Sequence, residues 1–309
     1  MPESLQDLQN HFKRNSKVRD FPTHKSKVHS VDWNSDGRRL ASGSFDQTIC
    51  IYSLSGDRLE KPAFCKGHFN TVDQIKWHAT NPDLLSSASA DKTVRVWDAR
   101  LNRDVAKVST KGENINISWS PDGTTIAVGN KEDLVTFIDT RNFKIRTEMQ
   151  YKFEVNEIAW NKANDLFFMT SGQGHIHVLN YPELTTVYTI NAHPGNCICI
   201  EFDPSGQLFA VGSADAIVSL WDLSELACLR TFSRLEWPVR TISFSHDSRL
   251  LASASEDLEI DISDVESGEN VSSVKIGQPC FTVAWHPKRY LLAFACDDPG
   301  NVQLYGIPD

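Results

Sequence analysis

Short runs of alternating apolar and polar residues follow one another along the chain, and their order repeats. Each copy has two apolar positions three residues apart, a large aromatic residue two positions later, a polar turn, a strand of small residues and an alternating strand. The large aromatic residue recurs with successive spacings of 44, 42, 41, 42, 42 and 41 residues, at Trp33, Trp77, Trp119, Trp160, Phe202, Phe244 and Trp285. A repeat of about 42 residues built from short β segments is typical of four-stranded propeller blades, and the helical period of 3.6 is absent. The pattern therefore predicts an all-β fold, a seven-bladed β-propeller.

The repeats run from about residue 24 to the end without a Pro/Gly/Ser-rich linker, which indicates one continuous architecture. A single blade cannot bury both of its faces, so the blades must stack into a closed ring. The last copy ends with "NVQLYGIPD" after its third strand. We therefore expect residues 16–22, "SKVRDFP", to supply the outer strand of the last blade. The predicted organisation is a short N-terminal extension over residues 1–15 and a propeller over residues 16–309.

Charge and composition narrow the classes of partner. The 309 residues carry 31 Lys and Arg against 40 Asp and Glu, a net charge of −9, which weighs against a surface devoted to nucleic acid. The exception is a basic cluster between Lys13 and Lys27, in which Lys13 and Arg14 are candidates for a contact with RNA or an acidic partner. Alternatively, the cluster only keeps an exposed outer strand from pairing with other chains, which is the interpretation we favour. With no apolar run of about 18 residues and no secretory leader, we expect a soluble intracellular protein without membrane contact.

Other residues that could carry chemistry form no complete site in the sequence. The seven cysteines are scattered and have no CxxC spacing, so they indicate neither disulfides nor zinc and are expected in the core. His175 and His177 share one face of a strand but have no third ligand at a diagnostic spacing. No metal, cofactor or small-molecule substrate is predicted. No GxSxG elbow occurs, so we expect no enzymatic activity.

Two of the copies resemble the WD-repeat family. "GHFNTVDQIKW" followed by "SASADKTVRVWD" has the glycine-histidine start and tryptophan-aspartate finish of that family, and "AHPGNCICIEF" followed by "GSADAIVSLWD" repeats them. The resemblance implies a hydrogen-bonded set of His, hydroxyl, Asp and Trp inside a blade. The implied sets are His68, Ser87, Asp91 and Trp97 in the second blade, His24, Ser42, Asp46 and Tyr52 in the first, and His193, Asp215 and Trp221 in the fifth, where Val211 replaces the hydroxyl. These Ser, His and Asp residues recur at blade spacing, which indicates structure rather than a hydrolytic triad.

A candidate partner face follows from the loops that enter each blade. Seven positions before the repeating aromatic stand Phe153 and Trp237, large aromatic residues of the kind that anchor protein interfaces. Phe45 and Lys131, in the turns of the first and third blades, are expected beside them. Alternatively, Trp237 packs against Pro238 and plugs the central channel, and the sequence leaves both possibilities open.

Several stretches are more particular than a generic repeat, and together they resemble the family of THO complex subunit 3. They include "TKGENINISWSPDGTTIAVGNKEDLVTFID", "YPELTTVYTINAHPGNCICIEFDPSG" and "FSRLEWPVRTISFSHD". The resemblance implies a non-enzymatic scaffold in the nucleus that couples transcription to mRNA processing and export within the THO and TREX assemblies. It also implies docking on the large helical scaffold subunit and other THO subunits, and contact with a DEAD-box RNA helicase through the complex, while RNA is reached indirectly. The link "DDPGN" in the last blade is shorter than in many relatives.

An alternative function is a WD-repeat substrate receptor of a ubiquitin ligase, or a reader of histones or other peptides. A receptor of the F-box type needs a further helical module of about 40 residues, and only some 20 residues precede the propeller here. A reader would need an acidic or aromatic cage in the channel, to which Phe153 and Trp237 could contribute. The two classes differ in the partner that each would bind.

Overall fold

A computed structural model of the protein describes residues 4–297 and 300–308, so Asp298 and Pro299 of the short last-blade link lie outside the described residues. Within this part, 29 strands form seven separate antiparallel sheets, and one helix precedes them in the chain. The prediction of an all-β, seven-bladed propeller is confirmed.

The elements follow the chain in blade order. Helix α1 (Leu5–Arg14) and strand β1 (Arg19–Pro22) precede the first blade. The first three blades contain β2 (Val28–Trp33), β3 (Arg39–Ser44), β4 (Thr48–Ser55), the short β5 (Arg58–Leu59) and β6 (Ala63–Lys66); β7 (Val72–Trp77), β8 (Leu84–Ser89), β9 (Thr93–Asp98) and β10 (Arg103–Ser109); and β11 (Asn114–Trp119), β12 (Thr125–Asn130), β13 (Leu134–Asp139) and β14 (Lys144–Gln150). The next three contain β15 (Val155–Trp160), β16 (Leu166–Ser171), β17 (His175–Asn180) and β18 (Thr186–Asn191); β19 (Cys197–Phe202), β20 (Leu208–Ser213), β21 (Val218–Asp222) and β22 (Ala227–Phe232); and β23 (Thr241–Phe244), β24 (Leu250–Ala254), β25 (Glu259–Asp264) and β26 (Asn270–Lys275). The seventh contains β27 (Cys280–Trp285), β28 (Leu292–Cys296) and β29 (Asn301–Tyr305).

The repeating aromatic residue ends the innermost strand of every blade. The innermost strands contact one another around a central channel, and each sheet then runs outward to its fourth strand. The cores lie between successive sheets, where small residues such as Ala127 and Ala210 let the twisted faces approach. The regular aromatic spacing in the sequence is therefore the spacing from one blade to the next.

Glycine is required at the first turn of the first blade for two reasons. Gly37 lies at a φ of +76°, a conformation that residues with a Cβ rarely adopt. A Cβ at this position would also come within 2.4 Å of His286 Cε1 on the seventh blade. The ring of His286 instead donates from Nε2 to the Gly37 carbonyl over 2.9 Å, so this turn joins the first and last blades.

Polar side chains join the innermost strands of neighbouring blades. The free backbone N–H groups of one innermost strand donate to side chains of the blade before it, as Trp77 N does to Asp32 (2.8 Å) and Phe244 N to Glu201 (3.1 Å). Across the joint between the last and first blades, Val31 N donates to Thr282 Oγ1 over 3.0 Å. These bonds satisfy backbone groups that no further strand can reach.

The N-terminal strand lies at the outer edge of the last blade. β1 pairs antiparallel with β29, with Arg19 opposite Leu304 and Pro22 opposite Asn301, so the paired part covers four of the residues 16–22. The sheet order β1, β29, β28, β27 combines both ends of the chain in one blade. Opening the ring at this point therefore requires the loss of a complete strand pairing.

The N-terminal extension contains an unpredicted helix. Ser4 and Asp7 form a capping box at its start, and Leu8 and Phe12 are fully buried against the sixth and seventh blades. The ring of Phe12 stacks on that of Tyr305 at 5.6 Å. The sequence does contain a pattern that predicts this helix, namely apolar residues at helical spacing after a capping pair.

In the described part of the chain, no helix is long and apolar enough to cross a membrane.

We predict that α1 stabilises the ring closure. Phe12→Ala should lower the free energy of unfolding by about 3–5 kcal/mol, because it leaves a cavity among aromatic residues of two blades. Denaturant unfolding of the full chain measures the effect, with the exposed neighbour Lys13→Ala as the control. A loss below about 1 kcal/mol for Phe12→Ala would show that α1 is dispensable for closure.

Candidate partner-binding surface

The second blade contains a complete buried hydrogen-bonded set. His68 Nδ1 lies 2.8 Å from Asp91 Oδ2, and His68 Nε2 lies 2.7 Å from Ser87 Oγ. The indole N–H of Trp97 donates to Ser87 Oγ over 2.9 Å, so this one hydroxyl joins the tryptophan to the histidine. Because Ser87 and Trp97 are inaccessible, no substrate can reach this serine. The set joins the second and third strands of the blade to the loop that enters it.

The first blade has the same arrangement with a weaker last contact. His24 Nε2 lies 2.8 Å from Ser42 Oγ and His24 Nδ1 lies 3.1 Å from Asp46, while Ser42 Oγ lies 3.5 Å from the Tyr52 hydroxyl. Burial lowers the pKa of His24, and the attraction of Asp46 only partly opposes this. The four residues implied for the first blade therefore lie in contact with one another, as one connected set.

The fifth blade has a hydroxyl that sequence reasoning missed. Val211 occupies the strand position of Ser87, as expected, but Ser219 lies directly opposite Val211 in the paired strand. Its Oγ is 2.7 Å from both His193 Nε2 and Trp221 Nε1, and His193 Nδ1 is 2.9 Å from Asp215. The set is therefore complete, because a cross-strand neighbour can place its hydroxyl at the same point. In the sequence, the signal that could have identified this hydroxyl is a serine, Ser219, two residues before Trp221.

The aspartates of these turns also hold the loops that enter the blades. Asp91 accepts a hydrogen bond from the Phe69 backbone N–H at 3.1 Å, and Asp257 in the sixth blade accepts one from Trp237 N–H at 3.2 Å. Burial opposes the ionised form of Asp91, but hydrogen bonds from His68 and Thr93 outweigh it and keep its pKa below the ordinary range. Phe69 and Trp237 consequently occupy matching positions in two different blades.

Three exposed aromatic residues, Phe45, Phe69 and Trp237, lie together with Lys131 at one end of the propeller, which we call the entry face. In antiparallel sheets, the loops entering the first strand and the turns between the second and third strands lie at the same end. Phe69, Phe45 and Trp237 are 75%, 59% and 54% exposed. Phe69 was missed because it lies eight, not seven, positions before the repeating aromatic residue. Trp237 is too exposed to act as a buried plug of the channel.

Two other predicted face residues have local partners. Phe153 is half-buried and stacks on His177, with ring centroids 4.0 Å apart and planes 10° apart. Lys131 is exposed and forms an ion pair with Glu113 at 2.6 Å. Phe153 therefore supports the fourth blade, while Lys131 presents a charge at the entry face.

The N-terminal candidates are placed elsewhere. Lys13 and Arg14 are exposed in the last turn of α1, which packs beside β26 on the outer wall of the propeller. They are therefore separate from the aromatic residues of the entry face. Any contact that they make belongs to a second surface.

Inside the channel, one lysine lies among three carboxylates from different blades. The channel has a cavity of about 280 Å³, lined by Lys76, Glu157 and Glu201 among others, and Asp32 lines a second cavity together with Lys76 and Glu201. Burial raises the pKa of Glu157 to about 7, and it also raises the pKa of Asp32 and Glu201. Burial would lower the pKa of Lys76, but the three carboxylates outweigh it and raise the value.

The remaining candidate ligands form no site among residues 4–297 and 300–308. No group of three His, Cys, Asp or Glu residues there could hold a metal ion. Six of the seven cysteines are buried, as expected for core residues, but Cys228 on β22 is exposed. Cys228 lies on the outermost strand of its blade, where the adjacent Ala227 and Leu229 are exposed as well.

Comparisons with known proteins find similarity to THO complex subunit 3 over nearly the whole chain. The family model described as the THOC3 β-propeller domain matches residues 24–295. THO complex subunit 3 of Arabidopsis thaliana is 50% identical over 282 residues, which are 91% of this chain and 90% of that protein. The WD repeat-containing protein AAC3 of Dictyostelium discoideum is 32% identical, over 94% of this chain and 66% of its own length. The crystal structure of the Myceliophteria thermophila Cps50 (Swd1) β-propeller domain aligns with a TM-score of 0.83 at 18% identity, covering 94% of this chain and 98% of that one, which shows the fold alone.

We predict that the fifth-blade hydroxyl can be exchanged between the two strands. Ser219→Val should lower the free energy of unfolding by about 1–3 kcal/mol, because the buried His193 and Trp221 groups lose their partner. The double change Val211→Ser/Ser219→Val should recover most of this loss, because it restores the arrangement of the second blade. Equal stability of the single and double variants in denaturant unfolding would rule out this role for the hydroxyl.

We predict that Glu157 makes the fold less stable at high pH. Between pH 4.5, the ordinary pKa, and about 7, the unfolded chain releases a proton that folded Glu157 keeps, so the free energy of unfolding falls as pH rises. Glu157→Gln does not titrate and should gain about 1–3 kcal/mol relative to the native chain between pH 4.5 and 8. Denaturant unfolding across this range measures both proteins. Parallel pH curves would contradict the raised pKa.

Proposed function

Since this chain belongs to the THO complex subunit 3 family of WD-repeat β-propellers, we propose that it acts as a non-enzymatic scaffold subunit of the THO complex. In this role it supports the coupling of transcription to nuclear mRNA processing and export within the THO and TREX assemblies. The observation that carries this function is the family match over residues 24–295 together with 50% identity to a curated THO complex subunit 3.

The match extends through blades in which the general WD pattern is lost. Ile138 and Leu179 replace the tryptophan of the third and fourth blades, and Glu132 replaces the aspartate of the third. A generic WD-repeat likeness would weaken in these blades, whereas the family model continues across them. This specificity favours the THO function over a ubiquitin-ligase receptor or a histone reader.

The architecture fits an interaction platform. The Ser, His and Asp side chains that resemble a triad are buried in structural sets, and the aromatic residues of the entry face are exposed and held by backbone contacts. Rigid, exposed aromatic side chains bind partners at a small cost in conformational entropy. Phe69, Trp237 and Phe45 are the residues we assign to partner binding on this face.

Other subunits of the THO complex are the partners that family membership implies. More specifically, we propose that the large helical scaffold subunit docks on the entry face and that a DEAD-box RNA helicase is reached through the assembled complex. The net charge of −9 favours RNA contact through partners, with Lys13 and Arg14 as the candidates for any direct contact. We propose the nucleus as the site of action, in keeping with a nuclear complex.

We predict that the entry face is needed for entry into the complex. A tagged Phe69→Ala/Trp237→Ala double variant should recover at least tenfold less of the THO subunits from nuclear extract than the native chain, because it loses two exposed anchors. Mass spectrometry of the captured proteins measures recovery. The matched control is Leu101→Ala, in the exposed turn between β9 and β10 at the opposite end of the blades.

The possible outcomes test the proposed function and the proposed binding surface separately. Recovery of THO subunits by the native chain and the Leu101 variant, with loss in the double variant, supports both proposals. Equal recovery by all three folded proteins would remove the entry face from the interface but keep the function. Capture of a ubiquitin-ligase adaptor or histones in place of THO subunits by the native chain would refute the proposed function.

A further inference from the structure

The outer strand of the fourth blade lacks the protection that the other six outer strands have. Every sheet ends at an outer strand, whose far edge has backbone groups without a strand partner. Charged residues and proline on such edges prevent pairing with other chains. Six of the strands carry them, in the sequences RDFP of β1, AFCK of β6, RDVAKVS of β10, KIRTEMQ of β14, ACLRTF of β22 and NVSSVK of β26. β18, with the sequence TVYTIN, has neither a charge nor a proline.

The side chains of β18 also favour pairing. Five of its six residues are exposed, including Val187 and Tyr188. Uncharged segments rich in β-branched and aromatic residues are those that most readily accept another strand. On the sixth blade, by contrast, α1 packs against the outer strand and Gln9 donates to the Asn270 carbonyl over 3.2 Å. The edge of β18 is therefore both open and suited to a fifth strand.

A fifth strand on β18 would have one apolar side. Tyr188 lies opposite Val178, which belongs to the core between the fourth and fifth blades. On the neighbouring blade, the exposed Cys228 lies opposite Trp221 of the same core. Alternate residues of an added strand would therefore face an uncharged groove between β18 and β22.

The other side of such a strand would face unpaired basic residues. Arg146 on β14 donates to the Tyr181 hydroxyl of the fourth blade over 3.3 Å, and its guanidinium lies 5.8 Å from the centre of that ring. Lys144 lies opposite Asp139, but that aspartate forms its ion pair with Arg141. Among the described residues, neither Lys144 nor Arg146 makes an ion pair, although the chain as a whole is acidic. The side of β18 that faces β14 is therefore complementary to carboxylates.

We propose that an extended segment of a partner protein pairs with β18 as a fifth strand of the fourth blade. Its apolar side chains lie toward Tyr188, and they alternate with acidic side chains that lie toward Arg146 and Lys144. The backbone edge provides affinity and the two unlike sides set the register, as in other cases of strand addition. The inference rests on the proposed function, because the partner is another subunit of the THO complex.

Hydrogen exchange with mass spectrometry tests the pairing directly. The full chain is compared alone and in a THO complex reconstituted from purified subunits. The expected result is at least tenfold slower exchange of the peptide spanning residues 185–191 in the complex, because its outward N–H groups become hydrogen-bonded. A complex that assembles without protection of this peptide overturns the inference but leaves the proposed function intact. Failure of the wild-type chain to assemble refutes the proposed function, and the proposed partner with it.

A matched pair of substitutions tests the edge. Val187 and Val105 are 44% and 46% exposed on the outer strands of the fourth and second blades. Val187→Lys introduces the charge that the other edges carry and should weaken binding of the remaining THO subunits at least tenfold, measured by biolayer interferometry, while Val105→Lys should bind like the native chain. Equal binding by both variants, with unchanged melting temperatures, overturns the inference.

A second pair of substitutions tests the basic side of β18, which faces β14. Arg146→Glu should weaken binding at least fivefold, whereas Arg103→Glu on β10, also exposed and without an ion pair among the described residues, should not. Loss of binding by both variants would indicate a diffuse electrostatic effect and contradict the assigned register. Concentration-dependent protection of residues 185–191 in the chain alone, with a dimer in sedimentation, would identify a second copy as the occupant and overturn the proposed partner.

Discussion

The backbone edges that face the central channel impose the constraint on which the propeller depends. An innermost strand has a sheet neighbour on one side only, and its other edge faces the central channel. Side chains from the preceding blade therefore provide the missing acceptors, as Gln74 does for Ile117 N at 2.5 Å and Thr241 does for Val283 N at 3.2 Å. A buried backbone group without a partner costs about 1–3 kcal/mol. Each of these bonds links two blades, so together they stabilise the closed ring.

Closure of the ring makes the two ends of the chain interdependent. β1 completes the sheet that holds β29, and α1 then covers the aromatic residues of the same region through Phe12. Contacts that join residues nearly 300 positions apart carry a large loop-closure cost before they stabilise anything. The capping box of α1 satisfies backbone N–H groups at the helix start and so adds to the stability of the docked helix.

The blades that have lost the WD pattern keep the same turns by other means. In the third blade, Asn130 Oδ1 accepts hydrogen bonds from Glu132 N and Leu134 N, both at 3.0 Å, and Asp133 accepts one from Val155 N. The turn thus needs an acceptor at a given point rather than a given residue. This tolerance leaves the outer surface free to differ from blade to blade. The aromatic residues of the entry face and the unprotected edge of β18 are two such differences, and both fit a scaffold that binds several partners.

The sequence by itself determined the number of blades and their boundaries, because these depend on patterns that recur within about 42 residues. Its resemblance to the WD-repeat family implied most residues of the buried sets. It also indicated a role in the THO complex, through stretches that the family match supports. Only the tertiary structure decided that Ser219 replaces the missing hydroxyl, that Phe153 is packed while Phe69 is exposed, and that charged side chains from four blades meet in the channel. These features arise between strands and blades that are distant in the chain. Their geometry is set by sheet register and ring closure, which no local pattern of residues encodes.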